Sequence, residues 1–275
     1  MEMNYAKFFE CADDEPSAEA LPGGHYEDAL SAELLCEAAL QEKARCGSVF
    51  VKLPSDLPAE VDFFQSKAAF AGNPPINADA IPALEPEDEP FGSILRAVEL
   101  LAGRGERVVL KLEGPFTILG AMLPLKELYK GLYKNPQGIR SLCGRLVKEL
   151  VRYVQAAAER GAVLFSYADP VISYKLVSAR LSAGICGEIT CEALQALLAA
   201  DSRVRLHICS AASVGLKERA CCRTIRHRVP EGLTYGEALD YAVRQTDLRL
   251  LGHGCMQQEG RRLAEPYIYE IKILQ

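Results

Sequence analysis

The sequence of 275 residues lacks several features that would identify a class of protein directly. It has no tryptophan, and no apolar run is long enough to cross a bilayer, which argues against a membrane protein. The opening MEMNYAKFFECADDEP has neither a basic region nor a useful apolar run, so we expect no signal peptide. No GxGxxG motif follows the first predicted strand and no Walker glycine loop occurs, which removes the common nucleotide-binding signatures.

An excess of positive charge is also missing. The net charge of −6 argues against broad nucleic-acid binding, which normally requires a basic surface. Ten cysteines are present, but they do not follow the spacing of a small disulfide-stabilised scaffold, so reduced thiols in a cytoplasm are the expectation. With 49% hydrophobic and 25% charged residues, the chain can bury a large core, and we expect residues 1–275 to form a single domain.

Strand-like and helix-like patterns alternate along the chain. An N-terminal extension, residues 1–47, includes a predicted helix over Ala29–Ala44. Asn135 and Pro136 predict the start of a long helix, and Thr234 with Glu237 predicts a capping box. Eight strands are predicted before a late apolar segment at Tyr267–Leu274: Ser48–Leu53, a weak one near Ile76–Ile81, Arg107–Leu112, Gly161–Tyr167, Ala183–Glu188, Val204–Cys209, Arg223–Arg228 and Leu248–Gly252.

This alternation predicts an α/β protein, with a (β/α)8 TIM-type barrel favoured over a doubly wound open sheet. The chain is short for such a barrel between Cys209 and Cys255, where one strand–helix element is expected to be trimmed. In barrels of this kind the functional residues lie where the strands end. The predicted strand ends carry Asp56, Glu113, Asp169, Glu188, Cys209 and Cys255.

Two short stretches contain soft metal ligands at predicted strand ends. In VRLHICS, His207 and Cys209 are two residues apart and therefore project to the same side of a strand; in LLGHGC, Cys255 ends another strand. Three nitrogen and sulfur ligands leave the fourth position of zinc open, which is typical of a catalytic site. The alternative is that these side chains belong to the core, and His253 is a second choice for the third ligand.

Three carboxylates are further candidates. Glu188 is a candidate fourth zinc ligand, with an exposed loop carboxylate as the alternative. Glu113, directly before Gly114 and Pro115, either lines the pocket or caps a turn. Asp169, in the ADP triplet, either orients a ligand such as a substrate amine or makes a structural hydrogen bond to the following turn.

Several ordered motifs between Arg107 and Cys255 resemble the uroporphyrinogen decarboxylase superfamily. They are LEGPFTILGAM, the helix after KNPQGI, ERGAVLFSYADP, LHICS and LLGHGC. Within that superfamily they are most similar to the zinc-dependent methylcobamide:thiol methyltransferases, of the coenzyme M type. The arginine-rich N-terminal segment of the decarboxylases does not occur in residues 1–60, which disfavours decarboxylation of uroporphyrinogen.

The resemblance implies a barrel and a Zn²⁺ ion held by His207, Cys209 and Cys255. The zinc would activate a small thiol, such as coenzyme M or homocysteine, and the methyl group would come from a methylcobamide carried by a separate corrinoid protein. Two alternatives stay open at this level: a protein that binds a corrinoid or tetrapyrrole without turnover, and a metal-independent decarboxylase of another substrate.

Overall fold

The structure of the protein is a computed structural model that describes residues 31–53, 59–67, 78–172, 182–210, 212–213, 216, 222–252 and 254–274. The strands are β1 (Val51–Leu53), β2 (Val108–Glu113), β3 (Leu164–Ala168), β4 (Leu206–Ile208), β5 (Cys222–Arg228), β6 (Leu250–Gly252) and β7 (Tyr267–Ile273). The α-helices are α1 (Ala32–Cys46), α2 (Ala59–Lys67), α3 (Phe91–Gly103), α4 (Pro115–Met122), α5 (Leu125–Lys134), α6 (Pro136–Glu159), α7 (Gly187–Ala200) and α8 (Tyr235–Gln245).

All seven strands belong to one sheet, in the order β1-β2-β3-β4-β6-β7-β5. The first five strands in this order are parallel, and β7 pairs antiparallel with both β6 and β5. The α/β class and the barrel-like arrangement are therefore confirmed. The barrel is not closed, because among the described residues β1 and β5 are the two edges of the sheet.

Two of the eight predicted strands are wrong. Ser182–Cys186 forms a π-helical turn that leads into α7, and the Thr190 hydroxyl donates to the Cys186 carbonyl 2.8 Å away, as in a continuing helix. In the region of the weak strand, Ala78–Ala80 is a 3-10 helix, while residues 76 and 77 lie outside the described residues. The late segment, in contrast, is an integral strand of the sheet, β7.

The predicted helix signals are confirmed where local chemistry specifies them. The Asn135 side chain accepts a hydrogen bond from the Gly138 N–H at 3.0 Å, and Pro136 occupies the first turn of α6. Both bonds of the Thr234–Glu237 capping box are present at the start of α8. The N-terminal helix is also present, as α1, with the residues before position 31 outside the described part.

The sheet buries apolar side chains on both of its faces. One face, with Leu110, Phe165 and Leu206, packs in a large core with the apolar sides of α1, α3, α6 and α7. The opposite face, with Val109, Leu164 and Leu251, packs against α8, and we call it the α8 face. Side chains alternate along a strand, so Lys111 and Glu113 share the α8 face with Val109.

No helix among the residues that the structure describes is both long enough and apolar enough to span a membrane.

The buried carboxylate of Glu149 joins α6 to the segment before α3. It accepts from the Leu84 N–H at 2.9 Å and pairs with Arg145 at 2.6 Å. We expect Glu149→Ala to lower the free energy of unfolding by about 2–3 kcal/mol, because the Leu84 N–H loses its partner inside the protein. Urea unfolding would measure this, with Glu159→Ala at an exposed position of the same helix as the control. Equal effects of the two substitutions would contradict it.

Candidate active site at the strand ends

The register of the parallel strands brings three residues to the same level on the α8 face. Glu113 at the end of β2 is aligned with Ala168 at the end of β3. Tyr167 is aligned with Ile208, which places Cys209 level with Ala168, and the Cys209 N–H donates to the Tyr167 carbonyl at 3.2 Å. One level below, Ser166 is aligned with His207. The strand ends thus place a carboxylate and a thiol on either side of a small alanine.

His207 is fully buried and is held at both of its ring nitrogens. Its Nε2 lies 3.0 Å from the hydroxyl of Tyr235, the first residue of α8, and its Nδ1 lies 3.5 Å from the Ser166 hydroxyl. The Tyr235 hydroxyl also donates to the Gly252 carbonyl at 3.4 Å. Tyr235 was not predicted as a site residue, because a tyrosine in the first turn of a helix carries no signal of such a role.

Cys209 and Cys255 lie near the same tyrosine. Burial raises the pKa of Tyr235, a hydrogen bond with the Gly254 backbone lowers it, and the charges of Cys255 and Cys209 raise it. Cys255 is buried and Cys209 is half-buried. The Tyr235 ring lies directly on the backbone of Gly254, where a Cβ would come within 2.1 Å of the ring. Tyr235 is therefore hydrogen-bonded to His207, and its pKa is affected by both of the predicted cysteine ligands.

The types of donor suit zinc, which binds imidazole nitrogen and thiolate sulfur. Their present positions do not form a coordination shell, since within the described ranges no three His, Cys, Asp or Glu side chains are arranged to hold a metal ion. His253, the rival third ligand, lies outside the described residues, as does Asp56. The zinc site thus stays a prediction, supported by donor chemistry and by the adjacent ends of β4 and β6.

Glu188 is not part of this group. It lies in the first turn of α7, where its exposed side chain forms an ion pair with Arg140 of α6. It was predicted to end a strand on the sheet, and the helical course of Gly187–Ala200 removes it from the strand ends. We therefore leave Glu188 out of the candidate site.

Asp169 has a structural environment. Its Oδ1 accepts from the backbone N–H and the hydroxyl of Thr117, both at 2.7 Å, and its Oδ2 accepts from the Phe116 N–H at 3.4 Å and the Tyr167 hydroxyl at 3.2 Å. Burial raises its pKa to about 6, although these hydrogen bonds oppose the shift. The carboxylate thus caps the N-terminus of α4 from a neighbouring strand, at the helix end where negative charge is favourable.

Glu113 and Glu60 differ from Asp169, because buried oxygens of their carboxyl groups lack hydrogen-bond partners among the described residues. Among the described residues, neither carboxyl oxygen of Glu60 has a hydrogen-bond partner, and the Oε2 of Glu113 also has none. Burial raises the pKa of Glu113 to about 7, with a further rise from Asp169 and a decrease from Lys111. Burial likewise raises the pKa of Glu60 to about 8, and the charge of Glu113 adds to it. Glu60 was not identified from the sequence, and the helix in which it lies, α2, was not predicted.

The raised pKa of Glu60 predicts a specific dependence of stability on pH. The folded protein holds this proton more tightly than the unfolded chain, whose carboxyl has its ordinary pKa of 4.5, so stability falls as pH rises towards about 8. We expect Glu60→Gln to remove about 2–4 kcal/mol of the decrease in unfolding free energy between pH 5 and pH 8. Chemical denaturation at both pH values would test this, with exposed Glu99→Gln as the control. Superimposable pH profiles for Glu60→Gln and the parent protein would disprove it.

Comparison with known proteins agrees with this fold. The profile of the family described as Uroporphyrinogen decarboxylase (URO-D) matches residues 28–225. Among solved structures, a methyltransferase from Methanosarcina mazei superposes with a TM-score of 0.56 at 17% sequence identity, covering 85% of this chain and 82% of that one. No curated protein sequence matches.

Proposed function

Because the chain belongs to the uroporphyrinogen decarboxylase family, we propose that it transfers a methyl group from a methylated corrinoid to a thiol. The observation that carries the proposal is that β4 and β6 are adjacent parallel strands, and that His207, Cys209 and Cys255 lie at or just after their carboxyl ends. The name of the structural neighbour, a methyltransferase, agrees with the reaction type. The motifs quoted from the sequence point to the thiol-accepting branch of the superfamily.

His207, Cys209 and Cys255 would hold the zinc ion. When bound, zinc would lower the pKa of a thiol, so that the thiolate required as nucleophile is present at neutral pH. His207 would exchange one of its present hydrogen bonds, to Tyr235 or to Ser166, for a bond to the ion. A retained hydrogen bond at the other ring nitrogen would fix the orientation of the imidazole.

The other residues of the site position the elements around it. Asp169 holds the N-terminus of α4 against the end of β3, and Tyr167 supports this carboxylate through its hydroxyl. Ala168, which lies between Glu113 and Cys209 in the register, has only a methyl group as its side chain. In the reaction the S–CH3 bond forms as the Co–CH3 bond breaks, and the bonding electron pair stays with the cobalt. The thiol has already lost its proton.

A separate corrinoid protein is the proposed methyl donor. In barrel-like α/β folds ligands bind at the carboxyl ends of the strands, and all of the candidate ligands lie at that edge of the sheet. A corrinoid brought to this edge would face the sulfur held near Cys209 and Cys255. We therefore propose that the partner docks at the edge formed by the ends of β2, β3, β4 and β6.

A direct assay tests this function. Purified protein would be analysed for zinc and then mixed with methylcobalamin and a panel of small thiols, while the corrinoid spectrum is followed. We expect about one zinc per chain, in line with a single three-ligand site, and demethylation that depends on added thiol. Methyl transfer by zinc-free protein would refute the role given to His207 and the two cysteines. Zinc-loaded protein that demethylates with none of the thiols would refute the function.

One observation favours a second candidate function. The pKa values of Glu113 and Glu60 lie near neutrality, at about 7 and about 8, so these carboxyl groups can exchange protons at physiological pH. Such groups would serve a metal-independent decarboxylase acting on another substrate. The two functions differ in their dependence on Cys209, because Cys209→Ser would leave a carboxyl-based lyase unaffected.

A further inference from the structure

Two carboxyl groups, those of Glu60 and Glu113, lack among the described residues the hydrogen bonds that buried carboxylates normally have. Glu60 is 1% exposed, and neither of its oxygens has a partner among the described residues; the same is true of the Glu113 Oε2. The backbone N–H groups of Glu60 and Glu113 lower the pKa of Glu60, but burial outweighs their effect. Buried polar groups in this state are rare and call for an explanation.

The neighbouring carboxylate of Asp169 provides a contrast. Asp169 receives four hydrogen bonds from α4 and Tyr167, and its position is thereby explained. Glu60 and Glu113 come from two different elements, α2 and β2, and their charges interact. Two carboxyl groups that interact in this way, with three of their four oxygens lacking a hydrogen-bond partner among the described residues, suit a ligand that brings positive charge and several N–H donors.

The distance to the candidate sulfur site limits the size of that ligand. Glu113, Ala168 and Cys209 are level on adjacent strands, so the Cα atoms of Glu113 and Cys209 are about 10 Å apart, two strand spacings. Both side chains leave the α8 face of the sheet, and Ala168, the residue between them, has only a methyl group as its side chain. A molecule of a few atoms, with a nitrogen at one end and sulfur at the other, spans this gap.

We propose that the thiol acceptor is an aminothiol, whose ammonium group binds Glu113 and Glu60 while its sulfur lies at Cys209. This inference rests on the proposed function and names its substrate class. A sulfonate or carboxylate at the same position would be repelled by Asp169 and by ionised Glu113, whereas an ammonium group would favour the ionised form of both glutamates. The nearby Lys52 does not reverse this, because it is paired at 2.7 Å with buried Glu259. Lys111, one level below Glu113, lowers the pKa of Glu113 less than burial and Asp169 raise it.

Three two-carbon thiols that differ only in their second functional group test the proposal. Cysteamine carries an ammonium group, 2-mercaptoethanol a hydroxyl and 2-mercaptoethanesulfonate a sulfonate. Calorimetry on the full-length protein, as purified with its metal, would measure the three dissociation constants. We expect cysteamine to bind at least about 10-fold more tightly than 2-mercaptoethanol, as for a charge-assisted hydrogen bond, and the sulfonate most weakly. Tightest binding of the sulfonate, equal binding of all three, or binding of none overturns the proposal.

Variants locate the effect at the two carboxylates. Glu113→Gln and Glu60→Gln should each reduce the preference for cysteamine over 2-mercaptoethanol to less than about 3-fold, while exposed Glu99→Gln should retain it. Both site variants remove an unpaired buried carboxyl, so they are expected to fold, and thermal unfolding would verify this. Preference that persists in both variants overturns the assignment.

The outcomes for substrate class and for reaction are separable. Cysteamine binding without methyl transfer would contradict the proposed function and leave the ammonium site supported. Methyl transfer to all three thiols at similar rates would support the function and contradict the ammonium site.

Discussion

Replacing either Cys209 or Cys255 by serine is expected to remove bound zinc and to reduce methyl transfer by more than about 100-fold. The estimate is a lower limit, because changes to groups that only contact a metal ligand already cost about 10–100-fold. Each thiol supplies one of the three proposed donors, and both affect the pKa of Tyr235, whose hydroxyl contacts His207. Metal analysis and the methylcobalamin assay, run on the same preparations, would measure both effects.

The chain supplies a matched control for these substitutions. Cys46 is exposed at the end of α1, where its thiol contacts Glu42, and Cys46→Ser should retain both zinc and activity. His207→Ala should resemble the two cysteine variants in its loss of zinc. If Cys255→Ser retains a full equivalent of zinc, the third ligand is a different residue. If Cys209→Ser retains activity, the carboxyl-based lyase becomes the better assignment.

Asp169→Ala is expected to cause the largest loss of stability, about 3–5 kcal/mol. The substitution leaves the Thr117 N–H and hydroxyl, the Phe116 N–H and the buried Tyr167 hydroxyl without their common acceptor. A denaturant titration would measure the change, with Asp247→Ala at an exposed loop position as the control. We expect the loss of stability in Asp169→Asn to lie between those in Asp169→Ala and Asp247→Ala. The amide oxygen still accepts hydrogen bonds, whereas the NH2 group faces other donors.

This prediction also separates two roles for Asp169. If Asp169 holds α4 in place, Asp169→Ala lowers both the free energy of unfolding and the activity, and the protein that remains folded is active. If instead Asp169→Ala unfolds like the parent protein and loses only activity, the carboxylate acts on the substrate and our structural assignment is wrong.

The parts of the fold that could be predicted are those with local causes. The caps at Asn135 and Thr234 specify the starts of α6 and α8, because each side chain bonds to a backbone group three residues away. Apolar runs such as Arg107–Leu112 identified buried strands to within one residue of β2. Ala183–Glu188 was misassigned because a short apolar run does not distinguish a strand from a buried helical turn.

The residues of the candidate site also fall into those that could be predicted from the sequence and those that could not. His207 and Cys209 were predicted to share a side of one strand, and the two-residue repeat of β4 places them so. Tyr235 and Glu60 could not be found, because their importance comes from neighbours far along the chain: Tyr235 meets His207 across 28 residues. Asp169 was left between two roles until the position of α4 was known.

The residue types at the strand ends, the helix caps and the α/β alternation follow from the order of amino acids, because they depend on neighbours within one turn or one strand. Contacts between distant segments decided the rest. The antiparallel entry of β7 between β6 and β5 leaves the barrel open, and the helix that begins at Gly187 takes Glu188 away from the strand ends. The packing of α8 on the sheet brings Tyr235 to His207. Whether a carboxylate accepts several hydrogen bonds, as Asp169 does, or is buried with no hydrogen-bond partner among the described residues, as Glu60 is, depends on which groups the fold brings within hydrogen-bonding distance.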